Sequence, residues 1–419
     1  MAYKTRITLL FIITATVLLS SFSCSSPDKA YHMNSGGASI VTGLERFVKG
    51  DVERYRDRKV VLVTNHSGVD YRLQQNIQLL RNNGIQIAFV LAPEHGLYGY
   101  RNEYDRRLYQ VDRKKNLLIY NMHKLDRASL KGLLKVADVV LFDIQDMGMR
   151  CYTYISVLKF LMDTINGTDI ELVVLDRPNP LGFLEIDGPY LDKRFYSRHI
   201  SAFPSTFLYR MTPAEAARYY QGEFARGVKL RVIPMKGYRK GKMYHETGLP
   251  WVPPSPNLPT YESSIVYSAV VLLEGVNISL GRGTTKPFEY VGAPWINAEE
   301  MSSDLNRICN NNFRFRPVYF KPTFSKYRGK RCRGVQIFYV GGSFSPVKFS
   351  YILTSYLHKK YPRHFKWERF RSTYDVDYLA GTDIYRKSIV LGWSYEDYMM
   401  MVHYNMDRFL EKSEKYYLY

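Results

Sequence analysis

The stretch "KVVLVTN", residues 59–65, sets Val60, Val61, Leu62 and Val63 in an unbroken run between a lysine and a polar Thr-Asn end. A β-branched run of this length without polar alternation suits a strand buried on both faces. Its neighbours decide the class. "QQNIQLLRNNG" (74–84) carries Ile77, Leu79 and Leu80 ahead of Gly84, the pattern of a helix with a glycine stop. The alternation then repeats: strand-like "IQIAFVLAP" (85–93) and "NLLIYNM" (116–122), helical "RASLKGLLKVA" (127–137), strand-like "DVVLFDIQ" (138–145), helical "YTYISVLKFLMDTING" (152–167) and strand-like "ELVVLDRP" (171–178). Continuous apolar strands separated by helices predict a parallel sheet covered on both faces. Residues 44–185 are therefore expected to form a doubly wound α/β domain. At 419 residues the chain exceeds what one core usually serves, so a second, smaller α/β domain is expected over 186–419.

The strand ends carry the polar chemistry. "TNHSG" (64–68), "PEHG" (93–96), "DIQDMG" (143–148) and "DRPNP" (176–180) each close an apolar run. Carboxyl ends of parallel strands share one edge, where ligands bind at the topological switch point. Asn65, His66, Glu94, His95, Asp143, Gln145, Asp146, Asp176 and Arg177 are thus expected to converge. A carboxylate beside an imidazole is what proton transfer needs, although turns collect polar residues too. No G-x-G-x-x-G opens the following helices, so no dinucleotide is implied.

Beyond residue 186 the pattern loosens. "TPAEAARYYQGEFARG" (212–227) reads as a helix with Thr212 as cap, Pro213 in the first position and Glu215 in the first turn. "KLRVIPM" (229–235) is a strand candidate, and the prolines of "PWVPPSPNLPT" (250–260) dictate a rigid loop. "SSIVYSAVVLLEGVNIS" (263–279) reads equally as helix or strand, and delivers Glu274 and Asn277 to "GRGTT" (281–285). That turn lacks the P-loop lysine spacing.

The 59 Lys and Arg against 39 Asp and Glu give a net charge of +20, which favours an anionic partner. No basic run with interleaved aromatics resembles a nucleic-acid module. "MAYKTR" followed by "ITLLFIITATVLL" (7–19) is too short to span a bilayer and reads as an export signal over residues 1–23. "SSFSC" ends on Cys24 and resembles a lipoprotein processing box, with Ser21 where leucine is usual. Cys24 is the expected lipidation site, and residues 24–43 a tether, giving a membrane-anchored protein of the bacterial periplasm. Cys151, Cys309 and Cys332 have neither C-x-x-C nor zinc-ligand spacing, so no metal site or disulfide framework is implied.

Taken in order, "VTNHSGVD", "PEHG", "DVVLFDIQDMGMRCYTYIS", "VVLDRPNPLG", "GLPWVPPSPNLPT", "LLEGVNISLGRGTTKPFEYVGAPW" and "FRPVYFKPTFSKYRGKRCRGVQI" resemble the NamZ-type exo-β-N-acetylmuramidases from about residue 41 onward. The resemblance implies a Rossmann-like N-terminal domain, a second α/β domain completing a cleft, and no cofactor. It also implies removal of N-acetylmuramic acid from the non-reducing end of peptidoglycan-derived glycans. By the same resemblance the catalytic glutamate is Glu94, with His95 beside it; Asp143, Gln145, Asp146, Arg150 and Tyr152 match one motif, and Glu274, Asn277, Arg282, Thr284 and Thr285 another. His66 and Ser67 stand where Gln and Thr are usual, Cys151 replaces Phe, and "LYGYRNEYDRRLYQ" (97–110) is richer in Tyr and Arg than its relatives.

Glycoside hydrolysis needs a proton for the leaving oxygen and a second group to activate water or attack the sugar. Glu94 is the expected acid, with Asp143, Asp146 or Glu274 as its partner. His66 or His95 is expected to orient the acid or touch the N-acetyl group. Arg150 and Arg282 are candidates for the lactyl carboxylate, which a guanidinium fits bidentately. Tyr152 and Trp251 are candidates for sugar stacking, set against core packing. Two other readings stand beside this one: a metal hydrolase using His66, His95, Asp143 and Asp146, and a glycan-binding lipoprotein without turnover.

Overall fold

The computed structural model describes residues 40–101, 107–309, 311–370 and 372–419. The export signal and Cys24 lie outside the described residues. The first element of the described residues is α1 (Gly43–Gly50), started by a capping box between Thr42 and Glu45. Then come β1 (Val60–Thr64), α2 (Asn76–Asn82), β2 (Ile87–Ala92), β3 (Tyr109–Asp112), β4 (Leu117–Asn121), α3 (Arg127–Leu134), β5 (Val139–Asp143), α4 (Thr153–Ile165) and β6 (Glu171–Leu175). Next are α5 (Pro213–Phe224), β7 (Lys229–Ile233), α6 (Tyr261–Val270), β8 (Tyr290–Ala293), α7 (Ala298–Ile308), β9 (Phe313–Phe320) and β10 (Cys332–Tyr339). Four helices close the chain: α8 (Pro346–Lys360), α9 (Asp375–Ala380), α10 (Ile384–Val390) and α11 (Tyr395–Glu414).

The first sheet has seven strands in the order β3-β4-β2-β1-β5-β6-β7, all pairs parallel except β3 with β4. The unbroken apolar runs have a direct cause. Val60 and Leu62 of β1 join the layer under α1 and α2, while Val61 and Val63 join the layer under α3 and α4. Successive strand residues point to opposite faces, so a sheet covered on both sides needs apolar residues at every position. Each such side chain contributes ~1.5–3 kcal/mol on burial.

The domain expected to end at residue 185 continues further. β7 pairs with β6 from Glu171 opposite Lys229 to Leu175 opposite Ile233, so the sheet closes only at residue 233. Polar positions in "KLRVIPM" half-conceal this edge strand. The ambiguous stretch after residue 260 is the helix α6, because the Thr260 hydroxyl accepts from Ser263 N and caps it. A second sheet, β8-β10-β9, is antiparallel. One apolar cluster runs from Val61 and Leu158 through Val270 and Leu273 to Val335 and Leu357, so both sheets share a core.

Candidate active site

The chain leaves β1 for β2 and β4 on one side and returns to β5 on the other. The switch point therefore lies between the carboxyl ends of β1 and β5. Asn65 and His66 follow β1, Glu94 and His95 follow β2, and Gln145 follows β5. The proline-rich loop closes over them. Pro253 O accepts from His66 Nε2 at 2.7 Å, Pro254 O accepts from Tyr154 OH at 2.6 Å, and Ser255 Oγ lies 3.1 Å from His95 Nε2.

Glu94 is half-buried. One of its carboxylate oxygens accepts from Thr153 Oγ1 at 2.8 Å, a hydroxyl presented by the first residue of α4. His95 sits at φ 69°, a left-handed conformation that costs energy for a non-glycine residue and collects at functional sites. Its Nδ1 donates to Arg101 O at 3.0 Å, which leaves Nε2 to accept from the Ser255 hydroxyl. His66 uses Nε2 as donor, so its buried Nδ1, without a partner, is the unprotonated nitrogen. Burial holds its pKa below the ordinary value. Gly99 makes room for this ring: at φ 77°, a Cβ there would stand 2.4 Å from the imidazole. Asn65 Nδ2 donates to Tyr154 OH at 2.9 Å, while its Oδ1 holds Ser67.

Other expected site residues are placed differently. Asp143 is wholly buried and its oxygens are occupied by Arg177 Nε at 2.5 Å, Arg177 Nη2 at 3.0 Å and Asn76 Nδ2 at 2.6 Å. It joins β1, α2 and the segment after β6 into a scaffold under the site. Asp146 lies beneath the surface, accepting from Gly148 N at 2.8 Å and from the Tyr209 hydroxyl; burial pushes its pKa up to about 6. Gln145 donates to the carbonyls of Asp146 and Pro178. Arg150 is the clearest departure. Its guanidinium donates to the carbonyls of Pro189, Ser205 and Ala380, and with no exposed surface it reads no substrate carboxylate. Tyr152 is buried, its ring 4.8 Å from Tyr154 and 6.2 Å from Tyr267, in core packing rather than as a sugar platform. Trp251 packs on Tyr244 and Tyr261.

The second motif lies beyond that aromatic chain. Tyr267 stacks edge-on against Phe288 at 4.6 Å, and the Arg282 guanidinium lies 5.3 Å from the Phe288 ring centre. Arg282 Nε donates to Glu274 at 2.8 Å, with both side chains partly exposed. Asn277 is structural, tying the carbonyl of His364 and the amide of Lys366. Thr284 folds back on Gly281 O, and Thr285 is exposed. Among the described residues no group of three His, Cys, Asp or Glu stands close enough to hold a metal. Cys151, Cys309 and Cys332 are free thiols.

Two imidazoles join the site that no sequence pattern marked. His123, just after β4, and His199 stack with ring centres 3.7 Å apart and planes inclined by 25°. Glu94 exerts an electrostatic pull on both. Burial nevertheless lowers their pKa values, that of His199 to about 4. Thr153, Tyr154 and Ser255 were likewise unmarked singly, although all three sit inside quoted motifs.

The fold and this edge define an α/β protein with an acid–base site of carboxylate, imidazoles and hydroxyls at the switch point of a doubly wound sheet. Its relatives are specific. The profile described as exo-β-N-acetylmuramidase NamZ, N-terminal, matches residues 60–262, and its C-terminal counterpart matches residues 265–419; the chain belongs to this family. It is 33% identical over 418 residues to the peptidoglycan β-N-acetylmuramidase NamZ of Bacillus subtilis (strain 168), covering 99% of this chain and 100% of that one. Crystal structures of two DUF1343 family proteins from Bacteroides fragilis NCTC 9343 superpose with TM-scores of 0.81 and 0.71, at 31% and 26% identity. Each covers 91% of this chain and 99% of the other.

Proposed function

We propose that this chain is an exo-acting glycoside hydrolase that releases N-acetylmuramic acid from the non-reducing end of peptidoglycan-derived glycans, in cell-wall turnover. One observation carries the reading: Glu94, in the P-E-H-G motif of a family matched along both halves of the chain, is a half-buried carboxylate anchored by Thr153 at the switch-point edge. Such a group can give a proton to the leaving oxygen. With Arg150 committed to backbone carbonyls, Arg282 is the remaining candidate of the two for the lactyl carboxylate.

The direct test compares a terminal β-N-acetylmuramyl glycoside with its N-acetylglucosaminyl counterpart, which lacks the carboxylate. Release of free muramic acid sugar with higher kcat/KM for the former is expected. Binding of both without release would leave the glycan-binding lipoprotein reading standing.

The same proposal places the protein in the periplasm on a lipid anchor, supported by the short apolar run ending at Cys24. Cys24→Ala is expected to convert a membrane-associated protein to a soluble one. Unchanged partition into the membrane fraction would remove the anchor.

A further inference from the structure

Glu94 supplies one proton, but hydrolysis also needs a group to take one from water. The carboxylates expected for this task are engaged elsewhere: Asp143 by Arg177 and Asn76, Asp146 beneath the surface with Tyr209, and Glu274 by Arg282. On the far side of Thr153, which donates to Glu94, lies instead a hollow of about 10 Å³ whose polar wall is His123, His199, Arg198, Thr153 and Ser156 and whose apolar wall is Met122, Val157 and Phe160. One water needs ~10–15 Å³ and two to four polar partners. Ser156 Oγ is buried, 2% exposed, and has no hydrogen-bond partner. Thr153 lines the same hollow while donating to Glu94. Buried polar groups without a protein partner mark a place for an ordered polar ligand.

Resting on the muramidase reading, we propose that this hollow seats the hydrolytic water and that His123 is the general base that activates it. In the step, Glu94 protonates the leaving oxygen as its bond to the anomeric carbon breaks. The water oxygen forms the new bond to that carbon, and its proton passes to an imidazole nitrogen of His123. Transfer of that proton back to Glu94 through solvent restores both groups. The surroundings of His123 favour this role. Burial, Lys124, Arg198 and His95 oppose a positive charge on His123, whereas Glu94 favours one; His123 and the stacked His199 resist sharing charge. The carboxylate that Glu94 becomes on giving up its proton favours uptake of one by His123, as a base in this step requires. The stacked His199 is a positioning residue, fixing the plane of the His123 ring and resisting a shared charge at 3.7 Å.

Kinetics on two substrates test the assignment: a natural muramyl disaccharide and an aryl muramyl glycoside. A base acts on water, not on the leaving group. His123→Asn should therefore lower kcat on both substrates alike, by ~10²–10⁴-fold, with KM within a few-fold of wild type. The acidic limb of the kcat/KM profile should vanish with it, and added imidazole should restore turnover to His123→Ala. His199→Asn should move that limb while reducing kcat less. If His123→Asn does not fold, the rescue of His123→Ala and the behaviour of His123→Gln decide. Turnover of His123→Asn within threefold of wild type, or loss confined to the natural leaving group, overturns the proposal. Wild type that releases no sugar from either substrate would overturn the muramidase reading itself, and with it this one.

Discussion

Whether Glu94 is an acid, a nucleophile or a turn residue is a question about one proton. Glu94→Gln keeps the side chain's size and its acceptor toward the Thr153 hydroxyl, but it has no acidic proton to give. kcat on the natural glycan should fall by ~10²–10⁴-fold or more while binding survives, with less damage to an activated aryl glycoside whose leaving group needs no acid. Equal loss on both would make Glu94 a nucleophile or base, and near-normal turnover would end its catalytic claim. The sequence made Glu94 and His95 visible because they terminate a strand that could be recognised. It could not reveal the fates of Asp143 and Arg150. A carboxylate or guanidinium in a motif looks the same whether it faces substrate or is consumed by Arg177, or by the carbonyl of Ala380 from far along the chain. His123 and His199 carry no local signature, because the pairing that makes them notable exists only after folding.

Among the elements, those whose spacing reflects burial were legible. The strands β1, β2, β5 and β6, built on unbroken apolar runs, and the capped helix α5 stand where the sequence puts them. β7 was recognised as a strand but not as a member of the first sheet, because edge strands carry polar residues. The end of β6 and the start of α5 meet at a group whose titration is measurable. Asp176 accepts from Arg177 N, Ala214 N, Thr212 Oγ1 and the Tyr419 hydroxyl; burial, with Glu215 nearby, pushes its pKa up to about 7. The folded state thus binds more protons than the unfolded chain between the ordinary carboxyl range and about 7. Stability from this group is fully present below that range and is lost as pH rises toward 7 and above. At ~1.4 kcal/mol for each unit, the loss is on the order of a few kcal/mol. Asp176→Asn should flatten this decline, since the Thr212 and Tyr419 hydroxyls can rotate to accept from the amide. Urea unfolding of both proteins at pH 4.5 and pH 8 measures it, and parallel curves would refute the buried-acid account.

At the scale of the whole molecule, the family division near residue 263 does not mark two independent bodies. The principal apolar cluster joins strands of the first sheet to α6, α8 and β10, and the last residues return to the first sheet. The carbonyls of Tyr416 and Tyr417 accept from Arg218, Leu418 N donates to Glu215, and the Tyr419 hydroxyl reaches Asp176. A shared core and a tail clamped across it make the free energies of the two parts inseparable, because unfolding either exposes apolar surface of the other. Residues 40–419 should therefore unfold in one cooperative transition. The tryptophans make the test sharp. Three of the four, Trp295, Trp367 and Trp393, lie beyond the division and only Trp251 lies before it, so their fluorescence reports mainly the second part, whereas far-UV circular dichroism reports both. Coincident midpoints in urea by the two probes are the expected result. A tryptophan transition that precedes the dichroism change would mean that the second part melts alone, and the shared core would then contribute too little to bind the halves into one cooperative unit.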